Sequence, residues 1–182
     1  MKYQIKESKD LLERDIEHIL QLWDVSAWST MKPDYFRTFF KDSEFHLLLD
    51  ADENILAVIR LNFDFTLKIS DHNYSFAEVV GLVSAYEKKG YGAALVHSFK
   101  ENVIQRALET IGFCHSDLRP FYEKCSIEIL HDKAKMIKES IDSEWVASDE
   151  DDDILIFNAS QERKELLNQL SLQNNAYLIT KE

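Results

Sequence analysis

Residues 76–92 read Phe76-Ala77-Glu78-Val79-Val80-Gly81-Leu82-Val83-Ser84-Ala85-Tyr86-Glu87-Lys88-Lys89-Gly90-Tyr91-Gly92. The apolar first part predicts a strand, and the end places two glycines at the mouth of an amphipathic helix. Gly90 and Gly92 stand where a helix N-terminus exposes backbone N–H groups that no preceding carbonyl satisfies. Such a terminus suits an anion, a phosphate above all. The N–H groups from Lys88 to Ala93 would face that anion, with the helix dipole behind them and the charges of Lys88 and Lys89 beside them. The alternative is a glycine pair that only permits a tight strand-to-helix turn.

Outward from this stretch, the periodicity predicts a helix from about Gly90 to Leu108 that buries Leu95, Val96, Phe99, Val103 and Ala107. Upstream, Tyr3 to Lys6 reads as a strand. Ser8 or Asp10 is a candidate cap for a helix whose buried face is Leu12, Ile16, Ile19, Leu20 and Trp23. Pro33 suits the start of a short helix with the aromatic face Tyr35, Phe36, Phe39 and Phe40. Phe45 to Leu49 and Ile55 to Phe63 predict strands joined by the polar turn Asp50-Ala51-Asp52-Glu53-Asn54. Tyr74 to Val83 is the next strand.

Downstream come a strand at Ile111 to Cys114, a helix start at Pro120 to Lys124 and a strand at Ser126 to Leu130. In the tail, Lys133 to Ser140 is mixed and the acidic run Asp149 to Asp153 reads as a solvated loop. A strand at Ile154 to Phe157, a helix at Gln161 to Leu172 and a strand at Ala176 to Thr180 follow. Three strands in succession favour an antiparallel meander, and the long helix favours a parallel crossover after it. The fold class expected is α/β (α+β), with a mixed, mostly antiparallel sheet and helices on both faces. One domain over 1–182 is expected, its core at about 1–130 and a C-terminal extension at about 131–182.

The 182 residues carry a net charge of −12, with 45% apolar and 12% aromatic residues. That composition is globular and able to bury a core. The charge disfavours nucleic acid as a partner, and it either favours a cationic substrate through the long-range field or serves solubility alone. Cys114 and Cys125 form no CxxC and read as buried free thiols in a reducing compartment. Met1 to Ile5 meets charge at once and does not read as a signal peptide. No apolar run reaches the length of a membrane span. A cytoplasmic protein with no membrane partner is expected, and exposed strand edges allow a homodimer.

Several motif readings fail. The Asp50 turn has Ile55 and Leu61 where a calcium loop needs Gly and Glu. Gly90-Tyr91-Gly92 has Leu95 where a dinucleotide fingerprint needs its third glycine. No metal-ligand spacing and no GxSxG elbow occur, so no metal is expected.

Glu87-x-x-Gly90-x-Gly92, together with Phe76-Ala77-Glu78-Val79-Val80 and Phe121-Tyr122-Glu123-Lys124, resembles the GNAT N-acetyltransferase superfamily. Ser116-Asp117 followed by Pro120-Phe121-Tyr122-Glu123 is similar to the aminoglycoside 2′-N-acetyltransferases in particular. The resemblance covers about Tyr3 to Leu130 and departs at three places. Glu87 replaces Gln or Arg, Lys88 stands where many members have Gly, and Ser126-Ile127 replaces Gly-Phe.

The resemblance implies an acyl-CoA N-acyltransferase fold that binds acetyl-CoA as cosubstrate. Leu82, Val83 and Ser84 would pair with the pantetheine arm. Glu87, Lys88, Lys89, Gly90, Tyr91, Gly92 and Ala93 would hold the pyrophosphate. Tyr122 would protonate the departing thiolate and Glu78 would deprotonate the acceptor amine. The acceptor would be a small, cationic primary amine walled by Trp28 and Tyr35, and Asp117 would cap the following helix or contact that substrate. The alternative is a CoA-binding sensor of the same fold without turnover.

Overall fold

The computed structural model describes residues 1–139 and 152–179. Along them the elements run β1 (Lys2–Glu7), α1 (Glu13–Trp23), α2 (Pro33–Phe39), β2 (Ser43–Leu49), β3 (Ile55–Ile69), β4 (His72–Ser84), α3 (Tyr91–Gln105), β5 (Thr110–Cys114), α4 (Arg119–Lys124), β6 (Glu128–Leu130), β7 (Ile137–Lys138), β8 (Asp153–Asn158), α5 (Gln161–Asn168) and β9 (Ala176–Ile179). This is a mixed α/β fold, and through β6 the order is the one expected. The chain forms two compact units, Met1–Asn62 with Val79–Phe99 and Phe63–Glu78 with Lys100–Glu182.

In the first unit the strand order is β1-β2-β3-β4. β1 pairs antiparallel with β2 from Lys2↔Leu49 to Glu7↔Glu44, and β2 with β3 from Ser43↔Asn62 to Leu49↔Ile55. The Asp50 turn closes that hairpin: its carboxylate accepts from the backbone N–H groups of Asp52 and Asn54 at 2.9 and 2.8 Å. The core gathers Leu11, Ile16, Ile19, Phe36, Phe40, Phe45, Leu47, Leu49, Ile55 and Val58. Two expectations need correction here. Ser8 and Asp10 form a separate 3-10 turn, and Asp15 serves the start of α1 by accepting the Leu12 N–H at 3.3 Å. Leu12 is 51% exposed and Leu11 is buried in its place, because the chain before Glu13 is still extended and off the helical period.

In the second unit the order is β7-β9-β3-β4-β5-β8-β6. β8 lies between β5 and β6, antiparallel to both, from Ile111↔Ile156 and Leu130↔Ile154. Of the pairs described, only β7–β9 is parallel. Phe65, Leu67, Ile69, Phe76, Ile111, Ile154, Ile156 and Leu167 are among its buried core. The guanidinium of Arg163 lies 4.7 Å from the Tyr74 ring centre and 5.1 Å from that of Phe76. α3 buries Leu95, Val96, Phe99 and Val103 as expected, but Ala107 is exposed and outside the helix. Leu108 N–H bonds to Val103 O and Ala107 N–H to Ile104 O, both at 3.0 Å. That bond pair is a Schellman end, and it puts Ala107 at φ 52 where glycine is favoured. Ala107→Gly should therefore stabilise the chain by about 0.5–1 kcal/mol. It would raise Tm by about 1–4 °C in a thermal melt, and a fall in Tm would contradict the assignment.

The acidic run also needs correction. Asp149 to Asp151 lie outside the described residues, as do Ser140 and Thr180, where two further expectations ended. Asp153 is not solvated: it opens β8 and is 0% exposed.

Candidate active site

In the first unit, β4 kinks at Gly81, whose φ is +65°. The left-handed turn aims the Gly81 carbonyl at Trp23 at the end of α1, and the indole Nε1 donates to it at 2.8 Å. Trp23 in turn packs on Phe36, Phe40, Phe45 and Trp28, with ring centres 5.6–6.2 Å apart. Below the kink lies a cavity of about 340 Å³ lined by Leu22, Trp23, Val25, Trp28, Arg60, Val80, Gly81, Leu82 and Val83. Its walls are apolar apart from Arg60, whose guanidinium lies over Phe40 at 4.9 Å and donates to Ser43 Oγ at 3.1 Å. Val25 also lines a second cavity of about 450 Å³, which carries the carboxylates of Glu17 and Asp24 and the ammonium of Lys32.

Past Ser84 the loop Tyr86 to Gly90 is exposed. Lys88 and Gly90 are both left-handed, at φ 57° and 79°. The first bond inside α3 runs from Ala94 N–H to Gly90 O at 3.0 Å. The N–H groups of Tyr91, Gly92 and Ala93 thus belong to the turn that has no carbonyl before it. A Cβ built on Gly90 would meet nothing within 4 Å. The Glu87 side chain is on the exposed part of the loop. An open, doubly left-handed loop with two lysines and a helix start fits an anionic group such as a pyrophosphate.

In the second unit, Tyr122 sits in α4 and is 6% exposed. Its ring centre is 5.0 Å from that of Phe121 and 6.5 Å from that of Phe157 on β8. Its carbonyl accepts from Ile127 N–H at 3.0 Å, and Ser126 between them turns left-handed at φ 56°. Glu78 is half-buried on β4, next to Ala77, whose N–H donates to Glu109 O at 2.7 Å.

Asp117 is exposed in the 3-10 turn Ser116–Leu118. The residue flanking α4 is Leu118, with no side-chain cap, so the capping expected of Asp117 is not found. Trp28 lines the first cavity. Tyr35 lines neither cavity; it is 58% exposed and packs on Phe39 at 5.8 Å.

The residues that hold α4 were not among those expected. Arg119 donates from Nε and Nη2 to the two oxygens of Asp153, at 2.5 and 2.8 Å. Asp132 N–H donates to Asp153 Oδ1 at 2.8 Å. Asp152 accepts from Ser116 N–H at 2.8 Å and pairs with Lys135 Nζ at 2.5 Å. Lys135 first, and then the hydrogen bonds from Ser116, hold the Asp152 carboxyl well below the ordinary carboxylate range against the opposing effect of burial. Burial pushes Asp153 up, but the Arg119 and Asp132 donors win and its carboxyl also titrates low. A low folded pKa stabilises above the unfolded value of 3.8, and the contribution disappears as pH falls through the lowered values. Asp153→Asn should therefore lower Tm at pH 7 and flatten its fall below about pH 4. An unchanged acid slope would contradict that linkage.

Among the described residues, no group of three or more His, Cys, Asp or Glu could hold a metal ion. Nor is any described helix long and apolar enough to cross a membrane.

Comparison with known proteins gives three findings. The family model described as "Acetyltransferase (GNAT) family" matches residues 13–126. No curated protein matches the chain. Solved structures share its fold at low identity. The catalytic domain of Tetrahymena GCN5 histone acetyltransferase in complex with coenzyme A is 14% identical at a TM-score of 0.50, covering 86% of this chain and 93% of that one. Glucosamine-6-phosphate N-acetyltransferase from Arabidopsis thaliana is 15% identical at 0.51, covering 81% and 100%. A probable N-acyltransferase from Enterococcus faecalis is 13% identical at 0.51; this match covers 70% of this chain but spans only 32% of that one.

Proposed function

Because the chain belongs to the GNAT acetyltransferase family, whose members transfer acetyl groups from acetyl-CoA, we propose that it acetylates a small primary amine by direct attack on the thioester. The observation that carries this is the Gly81 kink above an apolar cavity, with the open Lys88–Gly90 loop past the end of that strand. The loop and the first turn of α3 would take the pyrophosphate, through backbone N–H groups from Lys88 to Ala93 with Lys88 and Lys89 in support. Because the cradle uses backbone donors and Glu87 is exposed, that carboxylate is tolerated. Leu82, Val83 and Ser84 would bond the pantetheine arm.

The acceptor nitrogen must lose a proton before it can attack, and Glu78 is the carboxylate assigned to take it, directly or through water. The C–N bond forms, the C–S bond breaks, and Tyr122 gives its phenolic proton to the departing thiolate. The acylated nitrogen sheds its second proton, which restores the Tyr122 phenol by way of solvent, and Glu78 releases the proton it took to bulk water. The acceptor's reactive end would lie against Trp28 and the other apolar walls. A cationic tail would reach the Glu17 and Asp24 carboxylates through the shared Val25 wall; the net charge of −12 supports the same choice. Asp117, exposed before α4, remains assigned to the acceptor. Interleaving of the two units along the chain supports one catalytic domain over 1–182. The buried free thiols of Cys114 and Cys125 support a reducing, cytoplasmic setting.

The test is a panel of primary amines with acetyl-CoA, followed by thiol release. Alkyl diamines should outperform alkyl monoamines of equal length. Equal rates for the two would remove the cationic acceptor, and CoA binding without release from any amine would favour the sensor.

A further inference from the structure

We propose that Arg119 is a positioning residue for acetyl transfer, acting through its ion pair with Asp153 to fix the helix that carries Tyr122. The proposal rests on the reading of Tyr122 as the general acid. α4 has only six residues, far too few to be stable as an isolated helix, so its orientation comes from what grips it. Arg119 opens the helix, and Tyr122 follows three residues later, about 4.5 Å along the axis.

Three features make the Arg119 contact a fixing one. The guanidinium meets both oxygens of Asp153, at 2.5 and 2.8 Å, which sets direction as well as distance. Asp153 is itself 0% exposed and held by Asp132 N–H, so the anchor is rigid. Its strand, β8, is paired on both sides, with β5 and with β6. The next residue back, Asp152, holds Ser116 N–H in the turn that leads into α4. Phe157 lies four residues beyond Asp153 on the same strand and meets the Tyr122 ring at 6.5 Å. The same strand thus contacts both the root of α4 and the side chain it presents. At the other end, Lys100 Nζ donates to Ser126 O at 2.5 Å.

A general acid works within about 2.6–3.2 Å of its target, and displacement by about 1 Å costs on the order of 100-fold. A lysine at position 119 keeps the charge but loses the two-point fork.

The experiment is a double-mutant cycle on Arg119→Lys and Tyr122→Phe. It measures kcat and KM with acetyl-CoA and the fastest amine of the panel. Arg119→Lys alone should lower kcat about 10-fold with the acetyl-CoA KM within about 2-fold. In the Tyr122→Phe background it should cost less than about 2-fold more. If Arg119→Lys costs the same factor in both backgrounds, Arg119 serves the fold alone and the proposal is overturned while Tyr122 stands. Should Tyr122→Phe retain full activity, or no amine release thiol, the reading of Tyr122 falls and the proposal falls with it. If Arg119→Lys does not give a cooperative melt, Asp152→Asn carries the same cycle. It should lower kcat about 3-fold in the wild-type background and leave the Tyr122→Phe background unchanged; equal loss in both backgrounds overturns the proposal.

Discussion

Tyr122→Phe should lower kcat about 100-fold while the acetyl-CoA KM and the melting temperature stay close to wild type. The substitution keeps the ring, which is 6% exposed and packed against Phe121 and Phe157. It removes only the phenolic hydroxyl. General-acid help spans about 100- to 10,000-fold, and the low end applies here because a thiol of pKa about 8.5 is already a fair leaving group. The loss should fall on kcat and kcat/KM alike, as expected of an interaction made in the transition state. Steady-state rates at saturating amine, with acetyl-CoA varied, give both constants. A variant with wild-type kcat would exclude Tyr122 as the proton donor.

Gly81→Val should be the most damaging single change in the first unit. Any Cβ at position 81 would stand 2.7 Å from Trp23 Nε1 and 2.9 Å from its Cε2. The indole has little room to retreat, since it packs against four other rings and lines the cavity. Left-handed strain of about 1–2 kcal/mol, overpacking of about 1–3 kcal/mol and the lost indole bond of about 1 kcal/mol sum to roughly 3–6 kcal/mol. At about 2–4 °C per kcal/mol, Tm should drop by roughly 6–24 °C. Gly81→Ala should show the same effect at the low end, because the strain and the first clash both come with the Cβ. Any folded fraction should have a raised amine KM, since Gly81 and Trp23 both wall the cavity. A shift below 2 °C would mean that β4 does not need its kink.

The order of elements through β6 was readable because each is a local apolar pattern, from the runs of β2 and β3 to the stripe of α3. What was not readable depends on distant partners. The bond from Trp23 to Gly81 spans 58 residues and that from Arg119 to Asp153 spans 34. A lone glycine inside the apolar run of β4 was the available hint of a kink. The acidic run offered none, since its composition is that of a solvated loop although Asp153 is buried. Helical periodicity extended too far in two places. Leu12 fits the spacing of α1 but precedes it, and Ala107 fits α3 but lies past its left-handed end. Two departures from the family pattern keep glycine's backbone conformation at the cost of left-handed strain. Lys88 and Ser126 stand where glycine is usual, and both adopt positive φ, at 57° and 56°. Of the residues read from the resemblance, Leu82 to Ser84 fall at the end of the kinked strand, Glu87 to Gly90 on the open loop and Tyr122 on a short helix where it alone is buried, whereas Tyr35 and Asp117 are exposed.

Whether the chain turns over is tested most directly by counting products. Purified protein, acetyl-CoA and the panel's best amine should yield free CoA thiol and N-acetylated amine in equal amounts, each product 42 Da heavier than its amine by mass spectrometry, through many turnovers. Acetyl-CoA binding without any acetylated amine would contradict catalysis and leave a binding module in its place.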